Sequence, residues 1–388
     1  MNPRVARLAF LVLTVAACVN LAAGAALALW DPARQSDLRI MYDWCGRWLV
    51  GGEGLYTAPD AGTDYPPNAI VILSPVALLP WPWLVPLWTA FGLALAPVLA
   101  YLVVRCVSRG DLFVAAGPML LFLCWTSTRT LLQFSALSMT LAFLSLRLVD
   151  SHRLASGALL GLALFKPHIA GPIALWVVVT GRARVAIVAA AVVLIGWTAY
   201  DARIGENPLA TLDGYRRVLG RLYAGADGFL GRTGLRAWTR ILTADPRAAD
   251  AWWIAVSALL LAGVWWLAQR DLRRPLEAGG LATVSLLCLW SLLAFYHNTN
   301  NLIMMVPAFV FLWFLDDRPA LPRRWVPIVL LQAALTFDVP TRLGPRMSHE
   351  NWVKVAVDDF DRVLVLASFA YVALRFYRLT RSVSETGD

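Results

Sequence analysis

Phe165-Lys166-Pro167-His168 breaks an apolar stretch into two pieces, residues 155–165 and 168–180, and the reading of those pieces decides the fold. Crossing a hydrocarbon core takes about 20 apolar residues, so neither piece spans alone. Together they are expected to dip into a membrane and return, with Lys166 at the turn. Pro167 suits the first position of the returning helix, where no N–H is needed. That helix is expected to aim unpaired N–H groups and its positive dipole end beside Lys166 and His168, an arrangement suited to phosphate. Ionisable groups at such depth are costly and usually mark a site. The plainer account has Lys166 snorkelling to an interface and His168 bonded to a neighbouring carbonyl.

The rest of the chain agrees with a membrane setting. Of its 388 residues 59% are hydrophobic and only 15% charged, and the mean hydropathy is +0.62, too apolar for a soluble globule. Long apolar runs fall near 8–30, 84–104, 112–126, 130–147, 184–200, 252–268, 278–296, 301–315, 325–339 and 361–377, with a shorter one at 69–79. The expectation is an all-α polytopic membrane protein of about 10–12 transmembrane helices, with re-entrant half-helices at 69–79 and around Lys166.

Arginines cluster in alternate connections, among them Arg4/Arg7, Arg105/Arg109, Arg147/Arg153, Arg182/Arg184 and Arg270/Arg273/Arg274. Placing all of them in the cytoplasm satisfies the positive-inside bias and leaves both termini inside. The net charge of +9 is then mostly topology, and no nucleic-acid partner is expected. Arg4 and Arg7 before an apolar run resemble a signal peptide, and the residues up to Cys18 a lipoprotein box. Apolar sequence continuing past Cys18 fits a retained span better. The five cysteines have no metal spacing, and no disulfide framework is expected. One membrane domain over residues 1–380, with outer loops at 31–68 and 201–250 and a short cytoplasmic tail at 381–388, is the simplest organisation.

In the first outer loop, residues 37–50 put Met41, Trp44 and Trp48 on one helical stripe and Arg39, Asp43 and Arg47 on another. A helix lying in the membrane interface has this pattern. It holds the Asp37 carboxylate near headgroup level, within reach of a hydroxyl on a lipid or glycan acceptor; otherwise Asp37 is simply an N-cap. Asp43 is expected to pair with Arg39 or Arg47. The loop ends in Tyr65-Pro66-Pro67-Asn68. On the same face, the span 278–296 runs into Tyr296-His297, which places His297 with Asp37. Arg129 and Gln133, four apart, form a weaker pair at the outer start of a span. Arg232, Arg236 and Arg240 share a helical face suited to anionic headgroups or a diphosphate. Asp358, Asp359 and Asp361 read as a solvated helix start, and neither a metal nor another cofactor is expected.

These residues resemble glycosyltransferase family 87, polytopic enzymes of the GT-C type that include the mycobacterial phosphatidylinositol-mannoside mannosyltransferase and a related arabinofuranosyltransferase. The resemblance rests on Asp37-Leu38, Gly54-Leu55-Tyr56, Tyr65-Pro66-Pro67 leading into residues 73–80, Gln133, residues 157–163 before Lys166-Pro167, and Tyr296-His297 followed by Val306-Pro307-Ala308. It implies a GT-C-like helical bundle and an inverting glycosyltransferase in the cytoplasmic membrane, with its active site facing outward. The implied donor is a polyprenyl-phosphate sugar, with mannose expected first and arabinofuranose as an alternative, and the acceptor is a lipid or glycan. Asp37 matches the family's acidic residue and is implied to be the general base. Lys166, His168 and His297 are then expected to bind the donor phosphate, with Tyr65, Arg129, Gln133, Arg232 and Arg236 as further substrate contacts. Two other classes share some of these features. Broken helices around an intramembrane Lys/His pair also suit a secondary transporter or lipid-linked-sugar flippase, though no second copy of the Lys166-Pro167-His168 break is found. A non-catalytic scaffold for envelope assembly is the third reading.

Overall fold

The computed structural model describes residues 3–30, 36–57, 63–105, 134–224, 234–243, 245–269, 280–295, 299–314 and 360–385, and these form helices joined by turns, with no strand among them. The chain is a helical membrane protein. Three of the described helices are long and apolar enough to cross a bilayer alone: Trp81–Val103, Ala183–Ile204 and Pro246–Gln269. Their outward faces carry Leu87, Ile187, Leu194, Ile195 and Leu259 in exposed positions, as hydrocarbon contact favours. The expected runs at 112–126 and 325–339 lie outside the described residues.

Contacts divide the chain into two compact units. One comprises Ala23–Leu95 with Arg129–Phe229, the other Met1–Ala22, Ala96–Thr128 and Leu230–Asp388. The long first helix α1 (Pro3–Trp30) and helix α4 (Trp81–Arg105) contribute to both.

The first unit is assembled from broken pieces around one full-length helix. Helix α2 (Ser36–Leu49) is followed by α3 (Pro67–Leu73), which runs into a 3-10 turn at Ser74–Leu78. Pro66 and Pro67 fix the start of α3. Its end is fixed by Pro75, which has no N–H to continue the ladder, and by the Ser74 hydroxyl, which donates to the Val71 carbonyl at 2.8 Å. Beyond α4 come α5 (Ser135–Leu148), α6 (Arg153–Ala163), α7 (Pro167–Val179) and α8 (Ala183–Ile204). At about 1.5 Å per residue, α8 is ~33 Å long, whereas α6 reaches only ~16 Å. The re-entrant pair is therefore present as expected, but α5 is also half-length. It starts at Ser135, where the apolar run 130–147 suggested a full span.

Small residues hold these pieces together. Ser145 on α5 and Ser156 on α6 exchange hydroxyl-to-carbonyl hydrogen bonds at 2.8 and 2.9 Å. Helix α6 packs on α8 through Gly157 and Gly161, one turn apart. A Cβ at Gly157 would lie 2.5 Å from the Val188 Cβ, and one at Gly161 would lie 2.5 Å from the Val192 Cβ. This is small-xxx-small packing between two helices that run in the same direction. Farther along α8, Gly196 makes room for α3: a Cβ there would meet the Asn68 Cβ at 2.7 Å. The turns at the other end are tied by Arg182, which bonds both oxygens of Asp150 and lies 4.5 Å over the Trp176 ring. The arginine-bearing turns at 147–153 and 180–184 thus share one end of the unit. Gly205, at φ 71°, closes α8 at the opposite end, and α9 (Pro208–Ala224) folds back from there.

The second unit contains α10 (Leu235–Leu242), α11 (Pro246–Gln269), α12 (Leu281–Ala294), a 3-10 segment Thr299–Met305, α13 (Val306–Phe314) and α14 (Phe360–Glu385). Helix α12 is buried along nearly its whole length. The indoles of Trp253 and Trp290 on either side donate to the Ala294 and Ser257 carbonyls, both at 2.8 Å. The runs 278–296 and 301–315, read as full spans, are here a 14-residue helix and a 3-10 segment leading into a 9-residue helix.

Candidate active site

Helix α2 forms as its stripe predicts. Leu38, Met41, Cys45 and Trp48 are buried, and they join Ile70, Leu73, Phe165 and Tyr200 in one apolar core. The apolar stripe is thus covered by α3, its 3-10 turn and α8 of the same unit. The polar stripe pairs internally: Arg39 bonds Asp43 at 3.2 Å, one of the two partners expected for it, and Arg47 bonds Glu53 at 2.7 Å. Arg39 also lies 4.9 Å over the Trp81 ring. Asp37 stands in the first turn of the helix, half-buried.

The loop before α3 is held from beneath by tyrosines. The Tyr56 hydroxyl donates to the Tyr65 carbonyl at 2.6 Å, and the Tyr215 hydroxyl of α9 donates to the Asp64 carbonyl at 3.3 Å. The Tyr65 N–H donates to the Thr63 hydroxyl at 3.3 Å. Tyr56 itself packs between Tyr200 and Tyr215, with ring centroids 5.3 and 5.6 Å away. Backbone carbonyls held this way fix the direction in which Asp64 and Tyr65 present their side chains.

Lys166 meets this loop from the tip of the re-entrant pair. It caps α7, with Pro167 at the first helical position as expected. It is only 5% exposed, yet its ammonium donates to the Ser135 hydroxyl at 2.8 Å and lies 5.6 Å from the centre of the Tyr65 ring. Phe134 meets the Tyr65 ring edge-on at 6.3 Å and is itself packed by Trp88 and Phe165, and Trp44 touches the Tyr65 ring edge at 6.4 Å. The charge partners of Lys166 are Asp37 and Asp64. Solvent reaches the Asp64 side chain, but protein on most sides pushes its carboxyl above its ordinary value; Lys166 opposes that push and Asp37 adds to it. The Lys166 ammonium therefore marks one point, with the half-exposed Tyr65 ring beside it and two carboxylates within electrostatic range. Through the α6–α8 register that point lies level with Gly196, about 12 Å inside the end of α8.

One expectation needs correction. The N–H groups at the start of α7 are largely satisfied within the chain, because those of Ile169 and Ala170 both donate to the Lys166 carbonyl, at 3.0 and 3.1 Å, and Pro167 has none. What this end offers an anion is the helix dipole and the Lys166 ammonium. His168 follows in the first turn, half-buried.

The structure thus brings together Asp37, Tyr65 and Lys166. Arg236 belongs to the second unit, where its guanidinium grips both oxygens of Asp250 at 2.7 and 2.8 Å and lies 5.4 Å from the centre of the Trp253 ring. It is engaged as a structural tie between α10 and α11. Arg129, Gln133, Arg232, His297, Asp358 and Asp359 lie outside the described residues, as do the side chains of Arg240 and Asp361. The sequence reading missed Asp64 and Ser135. An acid in a polar loop and a serine beginning an apolar run carry no signal of their own; adjacency to Tyr65-Pro66-Pro67 was the only clue to Asp64.

A half-helix tip carrying a buried ammonium beneath a carboxylate-bearing loop defines a membrane protein with an ionic site set below its surface. The family model for glycosyltransferase family 87 matches residues 63–295, more than half of the chain. The chain belongs to that family and is a glycosyltransferase. Asp64, Tyr65, Ser135, Lys166 and His168 all fall within the matched region, and Asp37 precedes it. No curated protein and no solved structure matches the chain.

Proposed function

We propose that this site moves a sugar from a polyprenyl-phosphate donor to a lipid or glycan acceptor, with inversion, on the outer face of the cytoplasmic membrane. The observation that carries the reading is the buried Lys166 at the half-helix tip, bonded to Ser135 and beside the Tyr65 ring, with the Asp37 carboxylate within electrostatic range. An inverting displacement needs a base on one side of the anomeric carbon and a home for the leaving phosphate on the other.

In the proposed mechanism the Asp37 carboxylate takes the proton of an acceptor hydroxyl. The hydroxyl oxygen bonds the anomeric carbon while the bond from that carbon to the phosphate oxygen breaks, and the electron pair leaves with the polyprenyl phosphate. The Lys166 ammonium, oriented by Ser135, and the positive end of α7 stabilise that charge where little water competes. His168 stands in the same first turn and is proposed as a further phosphate contact. Tyr65 offers its ring to the substrate, with Arg129 and Gln133 kept as weaker proposed contacts. Mannose is the sugar we propose first.

The test is transfer in membranes carrying the protein, from a panel of radiolabelled polyprenyl-phosphate sugars and nucleotide sugars to extracted envelope lipids and glycans. Transfer from a polyprenyl-phosphate sugar alone is expected. Direct transfer from a nucleotide sugar, or none from any donor by folded protein, would overturn the reading.

A further inference from the structure

We propose that Asp64 is a second substrate-contacting carboxylate, which holds hydroxyls of the transferred sugar while Tyr65 and Trp44 face its ring. The inference rests on the site being a donor site. The loop at Asp64 is fixed through its backbone: the Asp64 carbonyl and the next one accept the Tyr215 and Tyr56 hydroxyls, and Asp64 itself is exposed. That is how a recognition group is presented, with the loop's stability drawn from elsewhere. Its neighbour Tyr65 is half-exposed, and Trp44, also half-exposed, touches the edge of that ring.

A carboxylate beside aromatic rings suits a sugar and does not suit a phosphate. The carboxylate accepts hydrogen bonds from adjacent hydroxyls, and charge makes these about twice as strong as neutral ones. The rings cover the C–H face of the pyranose. Two carboxylates at one site repel an anion, so the phosphate falls to Lys166. Asp64 adjoins Tyr65, whose ring centre lies 5.6 Å from that ammonium, and this neighbourhood favours the donor sugar over a sugar of the acceptor. A site built to bond substrate hydroxyls discriminates strongly against sugars that lack them or hold them in another configuration. Asp64 is thus the residue we expect to set which sugar is used, and Asp37 the one that moves the proton.

The experiment measures binding of two probes to the purified full-length protein, farnesyl-phosphate mannose and farnesyl phosphate. Asp64→Asn is expected to weaken binding of the mannose-bearing probe about ten- to a hundredfold and to leave farnesyl phosphate unchanged. Asp213→Asn, on the exposed face of α9, should change neither. Asp64→Asn protein that binds farnesyl-phosphate mannose like the wild type overturns the assignment. So does a variant that binds both probes normally but loses turnover, which would make Asp64 the base. Wild-type protein that binds the two probes equally removes the sugar subsite while leaving the donor reading in place. Wild-type protein that binds neither overturns both.

Discussion

A lysine almost closed to solvent is stable only where something answers its charge. Lys166 has the Ser135 hydroxyl at 2.8 Å, the Tyr65 ring beside it and the carboxylates of Asp37 and Asp64 within electrostatic reach. Removing the ammonium should cost the donor its main charge partner. Lys166→Ala is predicted to weaken farnesyl-phosphate binding by about ten- to a hundredfold, read by equilibrium titration, and Lys166→Arg should restore it only in part because the guanidinium fork needs more room than Ser135 and Tyr65 leave. Unchanged affinity in Lys166→Ala would remove the phosphate role. Lys166 was legible in the sequence because a cation in an apolar run is conspicuous. Asp64 was not, since its importance comes from where two tyrosine hydroxyls hold the loop, and one of them, from Tyr215, reaches across 151 positions of the chain.

The elements owe their placement to glycines as much as to apolar runs. Gly157 and Gly161 let α6 lie against α8, and that contact sets the depth of Lys166 at the tip. Gly161→Leu should lower stability by about 1–3 kcal/mol, because the new side chain meets the Val192 Cβ at 2.5 Å and the Ala189 carbonyl at 2.7 Å. Gly171→Ala on α7 has nothing within 4 Å of the added Cβ and should be neutral or mildly stabilising. Thermal unfolding in detergent compares the two, and equal midpoints would contradict the packing account. The break at Lys166-Pro167 could be read directly, since proline fixes a helix start. The half-length of α5 could not. Apolar character continues through Phe134 into Ser135, so no residue type marks the helix start, and the part Ser135 plays shows only in its buried contact with Lys166.

At the scale of the whole molecule, helical class and membrane setting follow from composition, while the side on which the site opens rests on charge. The arginine-bearing turns at 147–153 and 180–184 lie at one end of α8 and the Tyr200–Gly205 end at the other. Positive-inside bias favours a cytoplasmic first end, which is the orientation we propose. In a cysteine-free background, Leu209→Cys should be labelled on intact cells by a membrane-impermeant maleimide, and Ser151→Cys only after permeabilisation; the reverse pattern would turn the site to face the cytoplasm. Orientation decides which donors and acceptors reach the protein, and the proposed chemistry turns on one carboxylate. The most direct test of that chemistry compares wild type with Asp37→Asn for both transfer and donor binding. The account predicts transfer reduced by about 10²- to 10⁴-fold with donor affinity unchanged. Asp37→Asn protein that binds the donor and still transfers sugar at the wild-type rate would contradict it.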